Sequence, residues 1–130
     1  MAGPMNWDEY GETSRAAGNW AKQVFACFTT PAQSGPPPAD LLARHKAYVA
    51  SLETDGSLFL AGPLSDEEGS VMSGAGLVVL AARDMAHARS LAAADPMHEA
   101  GFRRFVIQAW RLNEGTPIPG LRLSRRSFDG

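Results

Sequence analysis

Apolar positions in the middle of the chain recur with the 3.6-residue period of an amphipathic helix, from Asp40 to Asp55. The apolar stripe of this helix consists of Leu41, Leu42, His45, Tyr48, Val49 and Leu52. Gly56 follows it as a typical C-terminal stop. A second helix is predicted from Asp84, a favoured N-cap residue, to about Ala94, because Pro96 prevents its continuation.

Four segments rich in apolar and β-branched residues are predicted as strands that alternate with these helices. The strands are Lys22–Thr29, Ser57–Ala61, Gly74–Ala82 and Arg104–Leu112. Gly62 and Pro63 are expected to end the second strand, and an acidic hairpin loop follows them. The third strand carries a continuous apolar run, which predicts burial on both of its faces.

The two ends of the chain are predicted to lie outside this pattern. Asn6 and Glu9 form a capping-box pattern, which predicts a short helix from about Trp7 to Ala17. We therefore treat residues 1–21 as an N-terminal extension helix. Residues 116–130 contain arginines and prolines with little periodicity, and they are interpreted as a C-terminal tail.

The element order of the central part, residues 22–115, is strand–helix–strand–strand–helix–strand. This order predicts a single α+β domain of the ferredoxin-like βαββαβ type. Two helices cover only one face of such a sheet, and a large uncovered apolar face is typical of an interface. We therefore expect a homodimer in which the uncovered faces pack together, with the first and last strands contributing.

Composition restricts the classes of partner. The 130 residues include 14 acidic and 12 basic ones, so the net charge of −2 lacks the basic surface needed for nucleic acid or an anionic membrane. No apolar stretch approaches the ~18 residues of a membrane helix, and no secretory signal is visible. The single cysteine, Cys27, excludes a disulfide framework and is predicted as a core or interface residue. These features predict a cytoplasmic domain.

His45 is the first candidate for chemistry, because it lies within the apolar stripe of its helix while Arg44 and Lys46 lie outside it. The helix therefore directs an imidazole towards the interior, where a group that titrates near neutral pH is suited to proton transfer. A core histidine that is hydrogen-bonded to a carbonyl is the structural alternative.

Asp95 is the second candidate, because a carboxylate at the C-terminal end of a helix opposes the helix dipole. Pro96 restricts its backbone and so fixes its direction. Since Asp-Pro is also an ordinary turn pair, a purely local role remains open.

His98 follows Asp95 within one turn, so His45, Asp95 and His98 could form a metal site of two histidines and one carboxylate. Their spacing matches no compact metal motif, and we predict no metal and no organic cofactor. His87 is expected to be a surface or capping residue. Trp110 is predicted either as a core residue or as one wall of a pocket.

Three segments together resemble the YCII-related (YciI-like) family. They are RHKAYVASLETDGSLFLAGPL, GAGLVVLAARDMAHARSLAAADPMHEAGFRRF and QAWRLNEG. The resemblance depends on the helix histidine His45 with a downstream Ala61-Gly62-Pro63, and on Asp95-Pro96 followed by Ala100-Gly101. It extends from about Lys22 to Gly115.

The resemblance implies a dimeric α+β barrel of ferredoxin-like subunits, with a pocket in which His45 and Asp95 face each other. The wider group of dimeric barrels includes muconolactone isomerases and chloromuconolactone dehalogenases. We expect His98, Gly62, Pro63 and Trp110 to surround a bound substrate.

Two functions remain as hypotheses. In the first, the chain is a cofactor-independent isomerase or lyase that acts on a small ring-derived compound, and His45 and Asp95 form the proton-transfer pair. In the second, it is a non-catalytic dimeric module that binds a small metabolite or supports another protein, and the same pair only orients a ligand.

Overall fold

The computed structural model describes residues 3–115, together with the backbone of residues 121–122 and 127–128. Those last residues form two short antiparallel strands, Leu121–Arg122 and Ser127–Phe128. The predicted C-terminal tail, residues 116–130, otherwise lies outside the described residues.

The central part of the chain folds as a four-stranded sheet with helices. The elements are α1 (Trp7–Ala16), β1 (Lys22–Pro31), α2 (Ala39–Asp55), β2 (Leu58–Ser65), β3 (Met72–Leu80), α3 (Met85–Ala93), α4 (Pro96–Glu99) and β4 (Arg103–Leu112). The strand order is β2-β3-β1-β4, and β3 runs antiparallel to both β1 and β2. This is the ferredoxin-like arrangement that the element order predicts. No helix among the described residues is long and apolar enough to cross a membrane.

The end of α2 and the start of α3 lie at the predicted signals. Gly56 ends α2 with a positive φ of 87°, a conformation that glycine adopts without steric cost. Asp84 caps α3 by accepting the backbone N–H of His87. The ring of His87 in turn accepts the backbone N–H of Arg83, which confirms a capping position for this histidine.

The prediction that Gly62 and Pro63 end the second strand is wrong, because β2 continues to Ser65. β2 is an edge strand with β3 as its one neighbour in this sheet. Proline is tolerated on an edge strand because its missing N–H can face solvent. The pairing with β3 shifts its register between Pro63 and Ser65.

The segment after α3 also differs from the prediction. Pro96 was expected only to prevent continuation of the preceding helix, but it is the first residue of the one-turn helix α4. Asp95 is the N-cap of α4, and its side chain accepts the backbone N–H of Met97. Aspartate at the N-cap with proline at the first helical position is a favourable pair. Asp95 therefore occupies a favourable N-cap position, whereas the sequence pattern predicted an unfavourable carboxylate at the C-terminal end of a helix.

The core lies between the helices and one face of the sheet. Its fully buried members are Phe25, Cys27, Leu52, Leu80, Ala88, Ala92 and Ile107. Cys27 is thus a core residue, as predicted. In β3, burial on both faces holds only for Val79 and Leu80, because the first half of the strand runs out of the core towards the hairpin.

The side chains of β4 alternate between the two faces of the sheet, and Phe105, Ile107 and Ala109 pack against the core on the side of the helices. Trp110 therefore lies on the opposite face, and 43% of it is exposed. The expectation of a core tryptophan is wrong, because α2 and α3 pack against the other face of this strand. We refer to the face of the sheet opposite these helices as the helix-free face.

The N-terminal helix belongs to one compact unit together with residues 111–115, and residues Val24–Trp110 form a second unit. Asn6 caps α1 by accepting the N–H groups of Asp8 and Glu9, as the capping pattern predicts. The side chain of Asn113 accepts a hydrogen bond from Ser14 of α1 and donates one to the hydroxyl of Tyr10.

Candidate active site

His45 and Asp95 are in direct contact although they lie 50 residues apart in the sequence. His45 lies on α2, and its ring atom Nδ1 is 2.9 Å from each oxygen of the Asp95 carboxylate. An ionised carboxylate can only accept hydrogen bonds, so the proton on this side of the ring belongs to Nδ1. The second ring nitrogen, Nε2, is then the atom that remains available to a ligand.

The pair is held together by the packing of α2 on the segment from α3 to α4. Leu41 and Leu52, on the predicted stripe of α2, are buried. The hydroxyl of Tyr48, one turn beyond His45, donates a 2.7 Å hydrogen bond to the carbonyl of Leu91 in α3. α2 is therefore fixed by apolar contacts and by a side-chain bond to the helix that precedes Asp95.

The carboxylate of Asp95 bonds to two donors at once. Its Oδ1 accepts the N–H of Met97 at 2.9 Å, and Met97 itself is buried. The same carboxylate accepts Nδ1–H of His45. The capping bond fixes the direction of the carboxylate before any ligand arrives, so the imidazole has a preformed partner.

The charge state of Asp95 results from opposing effects. Burial raises its pKa, whereas the hydrogen bonds from His45 and from the Met97 N–H lower it, and a positive charge on His45 or His98, when either ring is protonated, lowers it further. The net effect holds the pKa below the usual 3.8. Asp95 is therefore a carboxylate at neutral pH. Its side chain is 13% exposed against 30% for His45, so the pair meets solvent through the imidazole.

Cys27 and Tyr48, whose pKa values respond to the charge of Asp95, are held in their neutral forms. Burial raises the pKa of the Cys27 thiol to about 11, and the negative charge of Asp95 adds to the effect. Burial also raises the pKa of Tyr48, and the negative charges of Asp95 and Asp55 raise it further. A raised pKa disfavours the ionised, nucleophilic form of both groups.

His98 is bonded through both ring nitrogens. Nδ1 donates to the carbonyl of Ala92 at 2.7 Å, and Nε2 lies 2.8 Å from Oγ1 of Thr29. Its ring also packs against Phe105, with 4.8 Å between the ring centres. His98 thus keeps no free ring nitrogen among the described residues. Within those residues, no group of three histidine, cysteine or acidic side chains is arranged to hold a metal ion.

Pro63 and Gly62 lie on β2, two strands from Thr29. Pro63 is opposite Gly76 of β3, and Gly76 is opposite Thr29 of β1. At ~4.8 Å between neighbouring strands, Pro63 lies about 10 Å from Thr29 along this row. A Cβ atom at position 76 would lie 3.3 Å from the methyl group of Thr29 and 3.6 Å from the carbonyl oxygen of Gly62. No helix atom would lie within 4 Å of that Cβ atom.

Trp110 is not brought to the pair within this chain. Arg103, at the start of β4, bonds to Thr29, which in turn contacts His98 beside the pair. Trp110 lies seven residues further along β4, about 23 Å away at ~3.3 Å per residue, and on the helix-free face. A contact between Trp110 and a substrate remains a prediction.

The sequence analysis does not identify Thr29 and Arg103. Thr29 contacts His98 directly, and Arg103 is linked to His98 through its hydrogen bond to Thr29. Nε of Arg103 donates to Oγ1 of Thr29 at 3.0 Å. A signal for Arg103 was present in the sequence, because its position in β4 has the same parity as the inward residues Phe105 and Ile107. A charged residue on an inward face needs a partner.

Comparison with known proteins gives the family. The model of the YCII-related domain matches residues 22–111, and the chain belongs to this family. Among solved structures, the chain is similar to 5-chloro-2-hydroxyhydroquinone dehydrochlorinase from Burkholderia phenoliruptrix AC1100, determined in complex with 2,5-dihydroxybenzoquinone. The sequences are 18% identical, the match covers 67% of this chain and 92% of the other, and the TM-score is 0.44. No curated protein sequence matches the chain.

We predict that Asp95→Asn reverses the tautomer of His45. The asparagine oxygen replaces Oδ1 as the acceptor for Met97 N–H, and its amide group then donates to Nδ1 of His45, which forces the proton to Nε2. Long-range 1H–15N spectra of the imidazoles at mildly alkaline pH measure this change. His87, which accepts the N–H of Arg83 at Nδ1, is the internal control. An unchanged His45 tautomer would contradict the assigned contact.

We also predict that the free energy of unfolding falls less between pH 7 and pH 3 in Asp95→Asn than in the wild-type protein. Since the pKa of Asp95 is below 3.8 in the folded protein, its carboxylate adds stability above the unfolded-state pKa, and this stability is lost as the pH falls through the folded-state pKa. Urea unfolding at pH 7 and pH 3 compares the two proteins. Asp95→Ala, which also loses the cap, should be about 1 kcal/mol less stable than Asp95→Asn at pH 7. Equal acid dependence in wild type and Asp95→Asn would overturn the assignment.

Proposed function

We propose that this protein is a cofactor-independent acid–base enzyme, an isomerase or a lyase, that acts on a small ring-derived organic compound in the cytoplasm. His45 carries the proton and Asp95 holds the imidazole. The observation that supports this most strongly is the 2.9 Å contact between Nδ1 of His45 and the carboxylate of Asp95, together with the exposure of the imidazole.

The proposed reaction begins with Nε2 of His45 as the base. It removes a proton from a carbon next to a carbonyl, and the electron pair of that C–H bond moves into an enolate. In an isomerisation, the imidazolium returns the proton to another carbon of the same conjugated system. In an elimination, the electron pair expels a leaving group such as halide. Proton transfer by a positioned group typically contributes about 10²–10⁴-fold to the rate.

Asp95 has two functions in this proposal. Its bond to Nδ1 keeps the lone pair of the neutral ring on Nε2, and its negative charge stabilises the imidazolium that forms during the reaction. The lowered pKa of Asp95 supports this role, since a protonated carboxyl group would not stabilise the imidazolium. Cys27 and Tyr48 are not proposed as nucleophiles, because burial raises the pKa of both groups.

A second function is favoured by the capping bond of Asp95. Because its carboxylate already satisfies the N–H of Met97, the fold needs an acceptor at this position whether or not chemistry occurs. A non-catalytic module that binds a small metabolite is therefore the alternative proposal, in which the pair only orients the ligand.

The proposal includes a homodimer formed through the helix-free face of the sheet. Four large apolar side chains on this face are exposed in the single chain, whereas Val24, Ala26 and Val79 of the same face are buried. The exposed ones are Phe28, Leu60, Val106 and Trp110. Phe28 lies on β1 and Val106 on β4, the two strands that the sequence assigned to the interface. Burial of such a cluster against its own copy is favourable in proportion to the apolar area removed from water.

We predict that His45→Ala and Asp95→Asn each abolish most of the activity and that their effects are not additive. The assay is a panel of lactones and halogenated quinols with purified protein. Each single variant should lose about 10²–10⁴-fold, and the double variant should lose little more, because members of a catalytic unit act together. His87→Ala is the control, since this histidine caps α3.

Independent, multiplicative losses in the two single variants would contradict the acid–base pair. Binding of panel compounds without any turnover would favour the metabolite-binding module instead.

We predict that the protein is a dimer in solution. Light scattering after size-exclusion chromatography should give about twice the chain mass of 13.9 kDa. Val106→Lys places a charge on the helix-free face and should shift the protein towards monomer. Val71→Lys is the matched control, because Val71 is equally exposed but lies in the turn between β2 and β3. A wild-type monomer at micromolar concentration would overturn the assembly.

A further inference from the structure

We propose that Thr29, His98 and Arg103 form a positioning network that fixes α4 and thereby the carboxylate of Asp95. This inference rests on the proposed function, because it assigns the network to the same pair. This role is separate from the contact between His98 and a substrate, which remains a prediction.

Thr29 is the central residue of the network. It lies on the face of β1 that packs against the helices, and it is 9% exposed. Its hydroxyl oxygen is 2.8 Å from Nε2 of His98 and accepts Nε–H of Arg103 at 3.0 Å. A hydroxyl has one proton to donate and can accept on its oxygen, so both bonds form at once.

The direction of these bonds follows from their far end. The carbonyl of Ala92 can only accept, so Nδ1 of His98 carries a proton. In the neutral ring, Nε2 is then an acceptor, and the hydroxyl of Thr29 donates to it. The bonds therefore run from Arg103 to Thr29 to His98 to Ala92, and every donor has an acceptor.

A protonated His98 breaks this order. Both Nε2–H of His98 and Nε–H of Arg103 would then donate to the same oxygen of Thr29. The hydroxyl proton of Thr29 would then have no acceptor within this network. The order of bonds from Arg103 to Ala92 therefore needs the proton of His98 on Nδ1 and an acceptor at Nε2.

Arg103 anchors the network on the sheet. Its Nη2 donates to the carbonyl of Thr29 at 3.1 Å and to the carbonyl of Gly74 at 2.7 Å. The guanidinium of β4 therefore bridges the backbones of β1 and β3. Because the guanidinium is planar and rigid, these two bonds also fix the direction of the Nε–H that meets the hydroxyl of Thr29.

The network acts on Asp95 through α4. A helix of one turn is unstable by itself, so its orientation depends on tertiary contacts. The ring of His98 supplies two of these, one to β1 and one to the last turn of α3. The backbone N–H of His98 donates to the carbonyl of Asp95 at 2.9 Å, so a shift of His98 moves Asp95 directly.

Thr29→Val tests the inference, because it removes the hydroxyl and keeps the shape of the side chain. We expect the tautomer of His98 to become mixed and the imidazole nitrogen signals of His45 to shift in the same spectra. Turnover should fall about tenfold with KM little changed, since a small displacement of a catalytic group reduces the chemical step. Thr29→Ser should restore both signals and activity.

Thr30→Val is the matched control. Thr30 is the next residue of β1, so its side chain points to the opposite face of the sheet. This variant should leave the signals of His98 and His45 unchanged. Arg103→Lys keeps the charge but loses the donor to Thr29, and it tests the network if Thr29→Val does not fold.

The spectra separate this inference from the proposed function, because they need no substrate. A wild-type protein that turns over no compound but shows the coupled changes of His98 and His45 would contradict the enzyme and keep the network. If the signals of His98 change in Thr29→Val while those of His45 stay at their wild-type positions, the network does not position the pair and the inference is wrong.

Discussion

The site depends on one carboxylate that bonds to two donors of different origin. Oδ1 of Asp95 accepts the N–H of Met97, which belongs to the local start of α4, and the same carboxylate accepts Nδ1–H of His45 from a distant helix. The first bond costs little conformational entropy because the two residues are neighbours. It fixes the carboxylate in advance, so that the long-range contact orders only the imidazole. A helix cap thereby becomes the preorganised half of a candidate proton-transfer pair.

This double use has a consequence for the interpretation of variants. A substitution that removes both bonds, such as Asp95→Ala, mixes the loss of a cap with the loss of the charge. Asparagine keeps the acceptor for Met97 and changes only the partner of His45. The difference between the two substitutions therefore measures the structural role of Asp95, and the behaviour of the asparagine variant measures its role towards the imidazole.

The sequence predicted the features that arise from local patterns. The stripe of α2, the stop at Gly56 and the cap at Asp84 are local signals, and they led to the ferredoxin-like order and to His45. The site beyond this pair could not be derived in the same way. The bonds of Thr29 join residues 69 and 74 positions apart, and nothing in a local window indicates which strand and helix will meet. The sequence pattern indicates Asp95 through an apparent conflict with the dipole of α3, whereas in the structure Asp95 is the favourable N-cap of α4.

The geometry also restricts the chemistry that the pair can perform. Nδ1 of His45 is bonded to Asp95, so one nitrogen, Nε2, must both remove and return the proton. Under the proposed function, both transfers then take place on the same face of the substrate. An isomerisation by this site moves a proton between carbons that are reached from one position of the imidazole. An elimination needs only the first transfer and leaves the imidazolium to release its proton to water, which the 30% exposure of the ring permits. The half-buried position of His45 fits both reactions, because the base is open to solvent while its partner is held inside.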